Sequence, residues 1–259
     1  MSPSVGDPIS IEQARVRSGL RLIVLQGLPS PWSQAAKGIL RVKGIEYALV
    51  HRSESDPPGI LEEWTGQASF PVAMLDDELP RSGWAEILLL AERLAPKPAL
   101  LPADPAARAL CLGLCFEICG EMGLGWCRRL ESIHDGMQHD SPSSIAKYLG
   151  DKYGYTPESG AAARGRVREV LDVLADRLEA ERARGNRFLL GPSLTALDIY
   201  WATFCNLVSP LPPELLPLSE RMRPMFTSED PEVAKLLGRG LLDHRDFVYQ
   251  EFLELPVVL

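Results

Sequence analysis

Two serines three residues apart, Ser30 and Ser33, flank Pro31 and Trp32 just after a short apolar run that ends at Gly27. Proline is favoured at the first position of a helix and serine immediately before it, so Ser30-Pro31-Trp32-Ser33 marks a helix start that carries hydroxyls. A hydroxyl at that place has two uses. It can donate to an anion, helped by the positive end of the helix dipole, or it can accept from the amide of Ser33 as an ordinary cap. Both readings are open for Ser30, and Ser33, one turn inside the helix, is the second choice for the chemistry. The other reactive residue types are less promising. Cys111, Cys115 and Cys119 recur every four residues. On a straight helix the outer two lie about 12 Å apart along the axis, whereas thiolates sharing a tetrahedral zinc lie within roughly 4 Å of one another. They read as small packing residues. His51, His134, His139 and His244 lack the paired spacing of a zinc motif or of a hydrolytic triad, and His134 and His139 fall in a polar stretch, Ser132 to Ser144, that reads as a loop. No metal site is expected.

The elements that must position these residues follow from periodicity. Leu20 to Gln26 and Gly44 to Val50 read as short buried strands, and between them Ala35, Ala36, Ile39, Leu40 and Val42 recur at helical spacing. Phe70 to Leu75, the turn Asp76-Asp77-Glu78 and a weak strand up to Pro80 predict an antiparallel hairpin. Trp84 to Leu94 is an amphipathic helix stopped by Pro96 and Pro98. Strand, helix, strand, strand, strand, helix makes one compact α/β domain. Lys97 to Pro105 is a proline-rich connector, and beyond it no segment reads as a strand. Helices are predicted at Ala106 to Arg129, Ser144 to Lys152, Arg166 to Arg184, Thr195 to Asn206, Pro231 to Leu237 and Leu241 to Leu253. Thr195 and Asp198 form a capping-box pattern, with Leu194 and Ile199 placed for a hydrophobic staple; losing the cap should cost about 1–2 kcal/mol.

Three features together resemble the glutathione S-transferase family: the Thr195 to Asp198 cap within Phe188 to Ile199, Ser69-Phe70-Pro71-Val72 ahead of a strand, and Ser30-Pro31-Trp32-Ser33 after the first strand. The last is similar in position to the dithiol motif of thioredoxins, with serine at both thiol positions, which excludes thioredoxin-type disulfide exchange. The resemblance implies a thioredoxin-like α/β N-terminal domain followed by an all-α C-terminal domain. The division it implies is an N-terminal extension 1–19, a glutathione-binding domain 20–97, a linker 98–105 and a helical acceptor-substrate domain 106–259. It implies glutathione as co-substrate, with Ser30 polarising its thiol. Trp32, Ser33, Phe70, Pro71 (with a cis peptide bond), Val72, Arg81 and Ser82 would bind the tripeptide. Trp32, Cys115, Phe116, Cys119 and Trp126 would line a pocket for a small apolar electrophile.

A free thiol with a pKa near 8.5 needs roughly 2.7 kcal/mol of preferential stabilisation to fall by about two units. A hydroxyl donor supplies about 1.5–3 kcal/mol and a helix amino end about 0.3–2 kcal/mol, so the two together suffice. One part of the family pattern is missing. An acidic residue normally precedes the serine that holds the γ-glutamyl carboxylate, and here Arg81 precedes Ser82; shifting the alignment by one puts Ser82-Gly83 in the dipeptide's place and removes the serine. The implied activity is conjugation, addition, elimination or isomerisation. The alternative is a non-catalytic small-molecule binding protein with the same fold.

Bulk properties agree with a two-domain protein: 259 residues, 46% hydrophobic and 24% charged. With 27 Lys and Arg against 35 Asp and Glu, the net charge of -8 gives no attraction to nucleic acid or anionic lipid. No leader or membrane-length apolar stretch is read in the sequence, and five cysteines, an odd number, fit a reducing compartment, so a cytoplasmic location is expected. By resemblance the chain is expected to be a homodimer.

Overall fold

The computed structural model describes residues 7–53, 55–139 and 141–259. The chain divides into two compact units, one formed by Met1–Leu100 together with Phe252–Leu259, the other by Leu101–Glu251. In chain order the helices and strands of the first are α1 Ile11–Arg15, β1 Leu20–Leu25, α2 Pro31–Val42, β2 Ala48–Arg52, α3 Ile60–Thr65, β3 Val72–Leu75 and α4 Trp84–Leu94. The second contains α5 Pro105–Cys119, α6 Leu124–Met137, α7 Ser144–Lys152, α8 Pro157–Ala183, α9 Ala196–Cys205, α10 Pro231–Leu237 and nearly all of α11 Leu241–Phe252.

The sheet of the first unit has the order β2-β1-β3, with β2 parallel and β3 antiparallel to β1. Strand residues alternate between faces. Ile23, Val50, Val72 and Met74 meet Ile11 and Ala14 of α1 and Ile60 and Leu61 of α3 on one face. Leu22, Leu49 and Ala73 point the other way, where α2 and α4 pack together. The predicted fourth strand is reduced to one bridge, Ala73 with Arg81. The second predicted strand starts at Ala48 rather than Gly44. Gly44 and Ile45 instead close the end of α2, donating to the carbonyls of Arg41 and Leu40, and Gly44 has φ +63. The segment read as an N-terminal extension adds to the core: Ser10 and Gln13 form a capping box, and Ile11 and Ala14 are fully buried.

In the second unit every residue of α9 is buried, α5 packs on it, and α8 packs against α6 and α10. The single helix expected over Ala106 to Arg129 is two helices. Met122 takes φ +58, and a Cβ on Gly123 would lie 2.6 Å from the Glu117 carbonyl oxygen, so the chain doubles back too tightly for any residue but glycine. Across this break Pro105–Met137 contains a window of mean hydropathy 1.4, apolar enough to cross a membrane, contrary to the sequence reading, and 56% of it is buried inside the protein. α6 runs on through the supposed loop to Met137, because Ile133 is a core residue, so His134 is helical and its Nδ1 lies 3.1 Å from the Tyr155 hydroxyl. α8 begins at Pro157, not Arg166, because Thr156 caps it and proline takes its first position.

Candidate functional site

The sheet topology brings three segments to one end of the first unit. β1 and β2 both finish there, since Leu25 pairs with Arg52. β3 starts there, since Val72 pairs with Ile23. Arg81 lies opposite Ala73, so the residues that follow it, Ser82 and Gly83, come up beside Pro71. Ser30 at the mouth of α2, the Phe70-Pro71 dipeptide and the start of α4 therefore share one sheet end.

Ser30 is the N-cap of α2, with Pro31 at the first helical position. Its backbone does the capping work: the amide donates to Leu28 (2.8 Å) and the carbonyl accepts from Gln34 (2.9 Å). The side chain makes no capping hydrogen bond. Of the two uses open to this hydroxyl, the ordinary cap is thus unused, and a half-buried donor sits at the amino end of a twelve-residue helix. Ser33 is 3% exposed, with a buried Oγ that has no partner. Trp32 between them is half-buried.

The Phe70–Pro71 peptide is cis, as the resemblance implied; Pro71 and Val72 are buried and Phe70 half-buried. At the start of α4 the N-cap is Gly83, not Ser82. Gly83 donates its amide to Glu86 Oε2 (2.9 Å), and Ser82 turns its hydroxyl to Gln67 Oε1 (2.8 Å). Arg81 is turned to Glu78 (2.6 Å), which also binds Arg93 (2.6 Å). A guanidinium already matched to a carboxylate has little left for a ligand, so Arg81 stands apart from the other segments chemically. Gln67 was missed by sequence reading. The available signal was a polar side chain two residues before Ser69-Phe70-Pro71.

Of the residues read as pocket lining, Trp32 lies in the first unit and the other four in the helical unit. Cys115 and Cys119 are 0% and 3% exposed and lie next to Tyr200 of α9. Burial raises both thiols well above the ordinary cysteine range, which keeps them protonated. They are core residues, on the apolar stripe of α5 that faces α9. Phe116, one residue on, is 50% exposed, and Trp126 is half-buried with its ring edge-on to Tyr153 at 4.9 Å. No group of three His, Cys, Asp or Glu suited to a metal ion occurs among the described residues.

Comparison with known proteins bears on this arrangement at two levels. Residues 157–237 match the sequence model of the glutathione S-transferase C-terminal domain family. No curated protein sequence matches the chain. Among solved structures, a glutathione S-transferase from Methylobacterium radiotolerans in complex with glutathione sulfonate superposes with a TM-score of 0.61 at 20% identity, covering 90% of this chain and 92% of the other. A glutathione S-transferase from Methylobacillus flagellatus with glutathione bound gives 0.56 at 14% identity, over 87% and 98% of the two chains. The Tau class enzyme from mango, Mangifera indica, gives 0.52 at 18% identity over 90% and 98%. The chain therefore has the glutathione S-transferase fold, a thioredoxin-like unit joined to a helical one whose residues 157–237 match that family's C-terminal domain.

Proposed function

We propose that this protein is a glutathione-dependent enzyme in which the Ser30 hydroxyl donates to the glutathione thiolate. The observation that carries the reading is that Ser30 stands at a helix amino end with its hydroxyl uncommitted to capping. A donor of that kind stabilises a thiolate by about 1.5–3 kcal/mol, and the helix adds to it. Phe70, Pro71 and Val72 would align the tripeptide backbone at the same sheet end, with Trp32 and Ser33 beside it. The acceptor is a small apolar electrophile, and the reaction is conjugation, addition, elimination or isomerisation. The reading carries with it a homodimer, a cytoplasmic location and a detoxifying role.

The test is Ser30→Ala. Because the hydroxyl makes no capping hydrogen bond, the thermal midpoint should stay unchanged, while kcat/KM with an electrophilic acceptor falls about ten- to a hundredfold. The thiol of bound glutathione, titrated by its ultraviolet absorbance, should shift to higher pH by about one to two units. Full activity in the variant would remove Ser30 from the mechanism.

A second reading, a non-catalytic binding protein, is favoured by the start of α4. Arg81 is held by Glu78 and Ser82 by Gln67, and no carboxylate stands in the position before Ser82 to receive the γ-glutamyl ammonium. Calorimetric titration with glutathione separates the two: binding at micromolar to low millimolar concentration supports the enzyme, and no heat with no thermal stabilisation supports the binding protein.

A further inference from the structure

A second place in the molecule gathers charge without pairing it. Arg182 near the carboxyl end of α8, Asn186 and Arg187 on the turn that follows, and Asp243, His244 and Phe247 on the first turns of α11 line a cavity of about 220 Å3 within the helical unit. In a chain with more acids than bases, exposed arginines find partners readily. Arg239, close by, engages Asp172, Asp176 and Glu179. Arg182 and Arg187 form no ion pair among the described residues. Glu181 beside them is already taken up by Arg177, Arg184, Asn186 and the Gly191 amide, and Asp246 by Arg245.

Both guanidiniums are nonetheless held in place. Arg187 lies over the Phe247 ring, 4.1 Å from its centroid. Arg182 reaches the Gly240 carbonyl at 3.4 Å, and a Cβ on Gly240, whose φ is +97, would come within 2.1 Å of Arg182 Nη1, so the glycine leaves the room that the arginine fills. At the back of the cavity His244, 1% exposed, is tied through Nε2 to Asp198 at 2.9 Å. Asp243, exposed and without an ion pair among the described residues, is the one carboxylate in the lining.

We propose that this cavity binds a small oxyanion, a phosphate or a carboxylate group, between Arg182 and Arg187, with Asp243 limiting the affinity. Two fixed guanidiniums present forks of N–H donors that match the geometry of such groups. The volume lies below the ~300–1,000 Å3 of pockets for drug-sized ligands, so one such group and little more is accommodated. The site shares no residue with the sheet end that carries Ser30 and does not depend on glutathione chemistry. Since the cavity wall is bonded to Asp198, an occupant binds the folded helical unit alone and raises its stability by linkage.

The experiment uses the full chain, with inorganic phosphate and acetate as probes and sodium chloride at matched ionic strength as control, read by thermal midpoint and by calorimetry. Wild type should show a saturable rise with phosphate, acetate or both, and the stronger response tells which group the site takes. Arg182→Gln and Arg187→Gln should each weaken binding about tenfold or more. Arg221→Gln, which removes an exposed charge elsewhere, should leave it unchanged. Asp243→Asn should tighten it, a gain that a damaged fold cannot produce. Absence of a rise in wild type, an equal rise with chloride, an equal loss in Arg221→Gln, or no tightening in Asp243→Asn would each overturn the site.

Discussion

Asp198 shows how much one side chain gains from its surroundings. The sequence motif predicts a cap, and the carboxylate does accept the Thr195 amide at 2.8 Å. It also accepts the Thr195 hydroxyl and the Leu189 amide at 2.8 Å each and lies 2.9 Å from His244, with no exposure at all. Asp198→Ala would strand three sets of buried donors, so the expected loss is at least about 3 kcal/mol rather than that of a cap, with Asp198→Asn milder; chemical denaturation measures both. His51 on β2 makes a different kind of contribution. Burial, then the nearby Lys37, hold its pKa below the ordinary histidine value, and its Nε2 is buried without a partner. The unfolded chain takes up this proton near pH 6.5, the folded chain at lower pH. Between those two values the unfolded state binds more protons, so stability falls as pH drops through the window and is flat above it. His51→Gln should flatten that fall in denaturation curves taken from about pH 7 down to about pH 5. An unchanged slope would mean that His51 is not the group responsible. Ser30 was legible as a helix start because Ser-Pro is a local signal. That its hydroxyl is uncommitted, and that the Ser82 hydroxyl is turned to Gln67, depends on contacts the local sequence does not contain.

At the scale of elements, α2 and α4 are joined at their carboxyl ends by one lysine. Lys43, with a side chain 0% exposed, donates to the carbonyls of Ala95 (2.6 Å) and Pro98 (2.8 Å) and pairs with Glu92 (2.7 Å). All three ammonium hydrogens are used, and Glu92 in turn accepts the Leu100 amide at 2.9 Å. Lys43→Met leaves a half-buried carboxylate and two carbonyls without their donor, and an unfolding loss of about 2–4 kcal/mol is expected. A loss below ~1 kcal/mol would show water replacing the ammonium. Helix positions with strong local punctuation came out as read: α4, α7 and α10, all three predicted to the residue. The misread elements share a cause. The break between α5 and α6 is set by how closely the chain returns past Glu117, and the short α1 and α3 are stabilised by packing Ile11, Ala14, Ile60 and Leu61 on the sheet, a partner their own sequence does not announce.

At the scale of the whole chain, the carboxyl-terminal segment belongs to the first unit, which the chain leaves at Leu100 and rejoins at Phe252. The Val258 carbonyl accepts from Gln34 Nε2 and Lys37 Nζ, both at 3.0 Å, Glu254 stands 3.9 Å from Lys37, and Val257 is 4% exposed. These residues clasp the helix whose N-cap is Ser30. A chain ending at Glu251 should lose about 2–4 kcal/mol of stability, with faster amide hydrogen exchange in α2. Unchanged exchange in α2 would mean that the segment is a passenger.

What the sequence alone determined was local: where hydroxyls meet helix starts, where prolines and glycines punctuate, which stripes are apolar, and that together these features resemble one family. Those signals act over a few residues and are present in the chain before it folds. The tertiary structure decided everything that required a partner far along the chain. Gln67 reaches Ser82 across 15 positions, Asp198 is matched by His244 across 46, and Lys37 meets Val258 across 221. Cys115 and Cys119 read as packing residues from sequence, but that α9 is the element covering them is a tertiary fact. Hydrogen bonds and burial are properties of pairs, and the sequence states only one member at a time.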